Sequence, residues 1–263
     1  MTKVDQSPVR YRQVDQQRIS ELLAWMADGG RSSSSARGIF DHICAQFCEA
    51  GVPIDRFVLF FFIIQPHIGG RRRTWERGNS AEMSSAPHEM ISSPRIQQSP
   101  AVEVMKSGVT LRQKLTVARD ALAFEDHIEL KERGLIDVVL QPLPFTTGGI
   151  HAVSWATKAE AGFTDDLVEV LERVRPLLAR LAEIYILRLH AASLLNAFVG
   201  RDGGERAIAG QIARGDTEVI EAAVQFADFK EFTRLSTRVE NVIVIETLNR
   251  FFPYPSRVRS AEP

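Results

Sequence analysis

The sequence predicts an α+β domain built on an antiparallel sheet with flanking helices, followed by a long C-terminal helix. Three observations predict it. The run Phe57 to Ile64 is continuously apolar and rich in β-formers, and it leads through Gly69-Gly70 into Arg71 to Arg77. A second pair of such runs, Ile136 to Leu143 and Ile150 to Thr157, is joined across Gly148-Gly149. From Leu167 to Phe198, apolar residues recur every three or four positions, the period of a helix. Strands in hairpins, with helices before and between them, favour an antiparallel sheet over βαβ units.

The elements follow in order. Gln16 to Ala27 places Ile19, Leu22, Leu23 and Met26 on one helical face, and Gly29-Gly30 ends it. Ser32 to Ser35 is a serine loop whose last residue can cap a second helix, Ala36 to Glu49, stopped by Gly51 and Pro53. Cys44 and Cys48 are four apart on that helix and read as core-facing thiols. Phe57 to Ile64 reads as a central strand buried on both faces, with Arg71 to Arg77 as its hairpin partner. Arg71-Arg72-Arg73 beside Trp75 reads as a solvated face of that hairpin. Met83 to Ser99 is rich in Ser, Pro and Gln and reads as an irregular excursion.

Ala101 to Lys106 is a short helix ended by Gly108, Val109 to Leu115 alternates as a strand does, and Phe124 to Arg133 is a helix stopped by Gly134. Ile136 to Leu143 and Ile150 to Thr157 complete the strands. Thr164 caps the long helix, with Asp165-Asp166 complementing its positive end. Leu167, Leu171, Val174, Leu178, Leu181 and Tyr185 form one heptad-spaced row, predicted to pack on the sheet. Ile184, Leu187, Ala191, Leu194 and Phe198 form a second row, predicted to pair with another copy or a related chain. Pro176 is predicted to kink the helix between the two.

At 44% hydrophobic and 25% charged residues, the composition is that of an ordinary globular protein. A net charge of −1 gives no broad positive field, which argues against nucleic acid as a partner. The longest apolar run is too short to span a bilayer, and the polar start has no apolar signal-peptide core, so a cytoplasmic location is expected. His67, His88, His127 and His151 are dispersed without metal-ligand spacing. Phe60, Phe62, Trp75, Trp155 and His151 either line one side of a ligand pocket or form core.

The element order over residues 16–163, with local runs such as Ile150-His151-Ala152-Val153-Ser154-Trp155, resembles a GAF-like sensory domain. Further on, the apolar run Val219 to Phe226 delivers Asp228 to a strand end. The stretch Phe226-Ala227-Asp228-Phe229-Lys230-Glu231-Phe232-Thr233 resembles the first metal-binding segment of class III adenylate/guanylate cyclases. That resemblance continues through Thr237-Arg238-Val239 and a helix ending at Phe252.

The resemblance implies cyclisation of ATP to cyclic AMP in intact relatives, with two Mg²⁺ or Mn²⁺ ions that activate the 3′-hydroxyl and neutralise the triphosphate. It implies Asp228 as the first metal ligand, the Phe229 carbonyl as a metal contact, and Phe232 and Thr233 in a turn that meets phosphate. The family usually has glycine where Glu231 stands, and a carboxylate there adds bulk and repels a triphosphate. Too few residues follow Asp228 for the second metal ligand, the base-selecting pair and the transition-state Asn and Arg. The resemblance therefore implies a chain cut early in the catalytic domain, with no complete catalytic set and no activity by itself.

The implied organisation is a flexible arm (1–15), a sensory domain (16–163), a signalling and dimerisation helix (164–199), a linker with the start of a cyclase catalytic domain (200–252) and a divergent tail (253–263). Two functions stand side by side. One is a cyclase-family protein of cyclic nucleotide signalling. The other is a non-enzymatic sensor of a small molecule that regulates a full-length cyclase through homodimers or mixed dimers over residues 184–198.

Overall fold

The computed structural model describes residues 14–30, 36–62, 69–79, 81–208, 210 and 229–251. The chain divides into two units, residues 1–212 and 213–263. The first opens with α1 (Gln16–Ala27) and α2 (Ala36–Glu49), then β1 (Arg56–Phe62), β2 (Gly70–Glu76) and β3 (Glu82–Ala86). Two single-turn helices follow, α3 (His88–Ile91) and α4 (Pro94–Gln97), then α5 (Pro100–Ser107), β4 (Leu111–Lys114) and α6 (Glu125–Glu132). β5 (Asp137–Pro144), β6 (Ile150–Thr157), α7 (Asp165–Val199) and α8 (Arg201–Ile208) complete it.

The six strands form one sheet of order β3-β2-β1-β6-β5-β4, antiparallel at every pairing. The α+β prediction holds. β1 lies at the centre, and Phe57, Val58 and Leu59 are all fully buried, as a strand covered on both faces requires. Alternation divides its side chains between two cores. Phe57, Leu59 and Phe61 join Trp75, Val153 and Trp155 beneath α1, α2 and α7. The opposite face carries Val138, Leu140, Ala152 and Ala156 against α5 and α6, with Phe60 at its margin. Each such apolar side chain stabilises the fold by roughly 1.5–3 kcal/mol on burial.

α1 starts where Asp15 caps it, accepting from the Gln17 and Arg18 amides, while the Asp15 amide itself donates to Ala50. Asp15 thus belongs to the fold rather than to the arm. Residues 1–13 and the serine loop lie outside the described residues. Cys44 is buried on α2 and Cys48 half-buried, in keeping with core-facing thiols.

Three expectations are corrected. The excursion from Met83 to Ser99 begins as an edge strand, because β3 pairs with β2 from Thr74↔Glu82 to Gly70↔Ala86. One hydrogen-bonded neighbour supplies what its serines lack in β-propensity. The arginine run is not one solvated face either, because alternation sends Arg73 into the helix-side core, 3% exposed, beside Asp41 and over the Phe40 ring. Finally, the pocket alternative fails for Trp75, Trp155 and His151, which face the helices whereas Phe60 faces the other way, while Trp75 and Trp155 lie in the helix-side core as the core alternative expects. The Phe62 side chain lies outside the described residues.

α7 runs unbroken for 35 residues through Pro176, whose ring is exposed. The first row from Leu167 to Tyr185 is buried on the sheet side, as its spacing predicts. The second row faces outward, with Ile184, Leu187 and Leu194 about half exposed and Phe198 at 86%. Gly200 ends the helix, and α8 turns back so closely that a Cβ on Gly204 would lie 2.1 Å from the Asn196 side-chain oxygen. No helix among the described residues is long and apolar enough to cross a membrane.

In the second unit, α9 (Phe232–Ser236) and α10 (Asn241–Phe251) are joined by a turn at Thr237–Glu240. The segment predicted as a strand, Val219 to Phe226, lies outside the described residues.

Candidate functional site

The first unit holds a cavity of about 500 Å³ on the face of the sheet opposite α7. Its floor is Phe60 of β1, and its walls are strands β2 and β3 on one side and helices α3 to α6 on the other. The excursion builds it. Pro87 starts α3, and the pair Ser93-Pro94 starts α4 in the arrangement that suits a helix N-terminus. Ser99 then caps α5 through the Val102 amide. Ile91 on α3 closes over the start of β2, which only a residue without a side chain allows. A Cβ on Gly70 would sit 2.8 Å from Ile91 Cδ1.

The lining is mostly apolar, from Ile91, Ile96, Val102 and Met105, with charge at the rim. Arg72 alternates onto this face, opposite Ser84, and its Nε donates to Ser84 Oγ at 2.9 Å. Arg95 of α4 pairs with Glu129 and lies 3.8 Å from Glu125, both on α6. Asp126, between those two glutamates in sequence, makes no hydrogen bond or ion pair among the described residues. Burial first, and then the neighbouring Glu129 charge, push its carboxyl above the ordinary range, against the pull of Arg95, Arg72 and Arg56.

α6 is anchored behind this rim by His127, 1% exposed, whose ring meets Phe124 edge-on at 5.2 Å. Neither of its ring nitrogens finds a partner among the described residues, and burial pushes its pKa down to about 4.

On the other face, α7 is fastened to the sheet by three acids. Asp137 at the start of β5 is fully buried and accepts from Arg112 at 2.8 Å and from the Phe163 amide at 3.0 Å, with Lys114 at 3.3 Å. Gly162 must lack a side chain for this, since its Cβ would lie 2.6 Å from the Asp137 carboxylate and its φ is +68°. Glu172 of α7 accepts from Gln141 at 2.9 Å and Thr110 at 3.1 Å, while Gln141 in turn accepts from the buried Trp155 indole at 2.9 Å. Glu183 accepts from the Thr146 amide at 2.8 Å and from Arg180 at 2.7 Å. Burial pushes the Glu183 carboxyl up, but these hydrogen bonds and the Arg180 charge outweigh it and hold it low. The helix is thereby registered against β5 and the loop after it, at both ends and in the middle of the strand.

His151 projects toward α7, its ring 4.2 Å from that of Phe145. Burial, and then a positive charge on His190, lower its pKa to about 4, against the opposing effect of Glu183. No group of three or more His, Cys, Asp or Glu side chains that could hold a metal occurs among the described residues.

Of the residues that the cyclase resemblance singles out, Asp228 lies outside the described residues, as does His67 of the dispersed histidines. Phe229 is half-buried, with its ring 5.3 Å from Phe251 and its carbonyl accepting from the Phe232 amide at 3.0 Å. Phe232 opens α9, and Thr233 is exposed, its carbonyl accepting from the Ser236 and Thr237 hydroxyls. Glu231, at the N-cap of α9, takes φ 62° and ψ 25°, the left-handed conformation. It is the single non-glycine residue with positive φ among the described residues.

No protein-family model matches the chain, and no curated protein matches it either. Among solved structures, it is similar to the GAF domain of a two-component sensor histidine kinase from Bacillus halodurans, at 19% identity over 59% of this chain and 99% of that one, with a TM-score of 0.45. It is also similar to the phycocyanobilin-bound GAF domain from a cyanobacterial phytochrome, at 17% identity over 65% and 97% of the two chains, with a TM-score of 0.45. The GAF domain from a phosphoenolpyruvate-protein phosphotransferase of Coxiella burnetii is 12% identical over 66% and 96%, with a TM-score of 0.44.

Proposed function

We propose that the chain is a GAF-like small-molecule sensor with a pairing helix, rather than an enzyme acting by itself. The cavity of about 500 Å³ carries this reading. It lies within the size range of small-molecule sites, is largely apolar, and places a few charged groups at its mouth. Its walls are the sheet and short helices, of which α5 alone has a side-chain N-cap, the kind of element that can shift on binding. The opposite face of the same sheet holds α7 through Asp137, Glu172 and Glu183, so a change in strand position has a defined route to the helix. The outward row Ile184, Leu187, Leu194 and Phe198 supports a second copy of the chain as the partner, since a heptad-spaced apolar row is what a parallel helix pair buries.

Sedimentation equilibrium tests the pairing. The chain is expected to be dimeric, and Leu187→Glu with Leu194→Glu to be monomeric and still cooperatively folded, with a melting temperature that no longer depends on concentration. A monomeric parent chain removes this half of the reading.

A second reading, a regulator of full-length class III cyclases through mixed dimers, is favoured by Glu231. The cyclase resemblance expects glycine there, and the residue adopts the backbone conformation that glycine adopts most readily. A cyclic AMP assay with ATP and Mg²⁺ or Mn²⁺, run beside Asp228→Asn, tests it. The chain is expected to show no product of its own and to change the output of a full-length cyclase mixed with it.

A further inference from the structure

We infer that the cavity takes a zwitterionic amphiphile, a small molecule with an apolar body, a carboxylate for Arg72 and an ammonium for Asp126. This rests on the cavity being the ligand site. The charges at its rim fall into two sets. Arg95 is neutralised by Glu129 and Glu125, and Arg71 is already engaged. Arg72 and Asp126 remain, one of each sign, both at the cavity and with no ion pair between them.

Arg72 is prepared for a carboxylate. Its Nε is held by Ser84 at 2.9 Å, which fixes the plane of the guanidinium and leaves its terminal nitrogens to make a two-pronged contact. Asp126 is prepared for a cation. It has no hydrogen-bonding partner among the described residues, and its burial first and the Glu129 charge second make an unpaired negative charge there unfavourable, against the pull of Arg95, Arg72 and Arg56. An ammonium relieves that, and a hydrogen bond to it is stronger for being partly desolvated.

A purely anionic ligand would satisfy Arg72 but meet Asp126 as a like charge. A purely cationic ligand would reverse the conflict. A molecule with both groups on one carbon meets neither, while its body lies on Phe60, Ile91, Val102 and Met105. The thioether of Met105 adapts to more than one body shape, so the head is recognised more strictly than the tail.

The test is isothermal titration of the full chain with two matched sets. The first is L-tryptophan, indole-3-propionate and tryptamine. The second is L-leucine, 4-methylpentanoate and isopentylamine. Within at least one set the amino acid is expected to bind roughly tenfold more tightly than the acid or the amine. Arg72→Gln is expected to reduce amino-acid binding to the level of the amine, while the amine itself binds no more weakly than before, since a like charge has been removed. Asp126→Asn is expected to reduce it to the level of the acid, while the acid itself binds no more weakly than before, since a like charge has been removed.

An acid or amine that equals its amino acid overturns the zwitterion. If such binding is then lost in Val102→Trp, the cavity stands as a ligand site for a different charge class. If the binding survives Val102→Trp, the cavity reading falls with it. Silence of all six compounds also overturns the proposal. Arg72 is exposed and Asp126 is half-buried without a hydrogen bond or ion pair among the described residues, so neither variant is expected to lower the melting temperature, which separates lost binding from lost folding.

Discussion

Replacing His127 by leucine is expected to raise stability and to remove part of its dependence on pH. The histidine is 1% exposed, has no partner for either ring nitrogen among the described residues, and has a pKa lowered by burial to about 4. In the unfolded chain the same ring titrates near 6.5. The folded value is the lower of the two, so the unfolded state binds the proton first as pH falls. Stability is full above pH 6.5, falls between 6.5 and 4, and levels off below 4. From pH 7.5 to pH 5 the loss from this one residue is about 2 kcal/mol. His151, also lowered to about 4, adds a similar amount, and the two sit on opposite faces of the sheet, so they should act independently.

His127→Leu should therefore remove about 2 kcal/mol of the pH dependence over this range. At pH 7.5 it should add about 1 kcal/mol, because two buried polar atoms without partners are replaced by apolar ones. Urea unfolding followed by tryptophan fluorescence at pH 7.5, 6.5, 5.5 and 5 gives both numbers. A variant that keeps the parent's slope, or that is weaker at pH 7.5, refutes the reasoning.

Four further outcomes are expected. Asp137→Asn leaves Arg112 and Lys114 without their buried charge partner and should destabilise the chain by about 3 kcal/mol in urea unfolding. Gly162→Ala places a methyl against the Asp137 carboxylate in a left-handed backbone, so its melting temperature should fall, by more than that of Gly134→Ala, where a Cβ would meet open space. Gly70→Val drives a side chain into Ile91 and should shrink the cavity, abolishing any thermal shift given by ligand. Glu231→Gly relieves a left-handed non-glycine residue and should strengthen the α9–α10 segment by about 1 kcal/mol, read as slower amide exchange there.

The rows of α7 were legible because helical period and burial agree: Leu167, Leu171, Val174 and Leu178 lie inside, while Leu187 and Leu194 lie outside. β1 was legible because the eight consecutive apolar or aromatic residues after Arg56, Phe57 to Ile64, suit a strand covered on both faces. β3 was not, because Glu82-Met83-Ser84-Ser85-Ala86 has little intrinsic β-preference and owes its state to pairing with β2. The cavity was hidden for a related reason. Arg72 and Asp126 are distant in sequence and belong to no motif, and the fold alone brings them to one rim. Strand alternation in Arg71-Arg72-Arg73 was the one available signal, since it implies that neighbouring arginines serve different faces. Nothing in the sequence distinguishes the acids that hold α7 from surface carboxylates. Asp137, fully buried, shows that a strand's first residue can be its most constrained.

Native mass spectrometry of the chain after exposure to a small-metabolite extract tests the sensor reading most directly. The parent chain is expected to retain a small molecule that is absent from Val102→Trp and from Ser84→Trp, in which the cavity is filled from the helix side and from the strand side. A parent chain that retains nothing, or filled variants that retain the same mass, would contradict it.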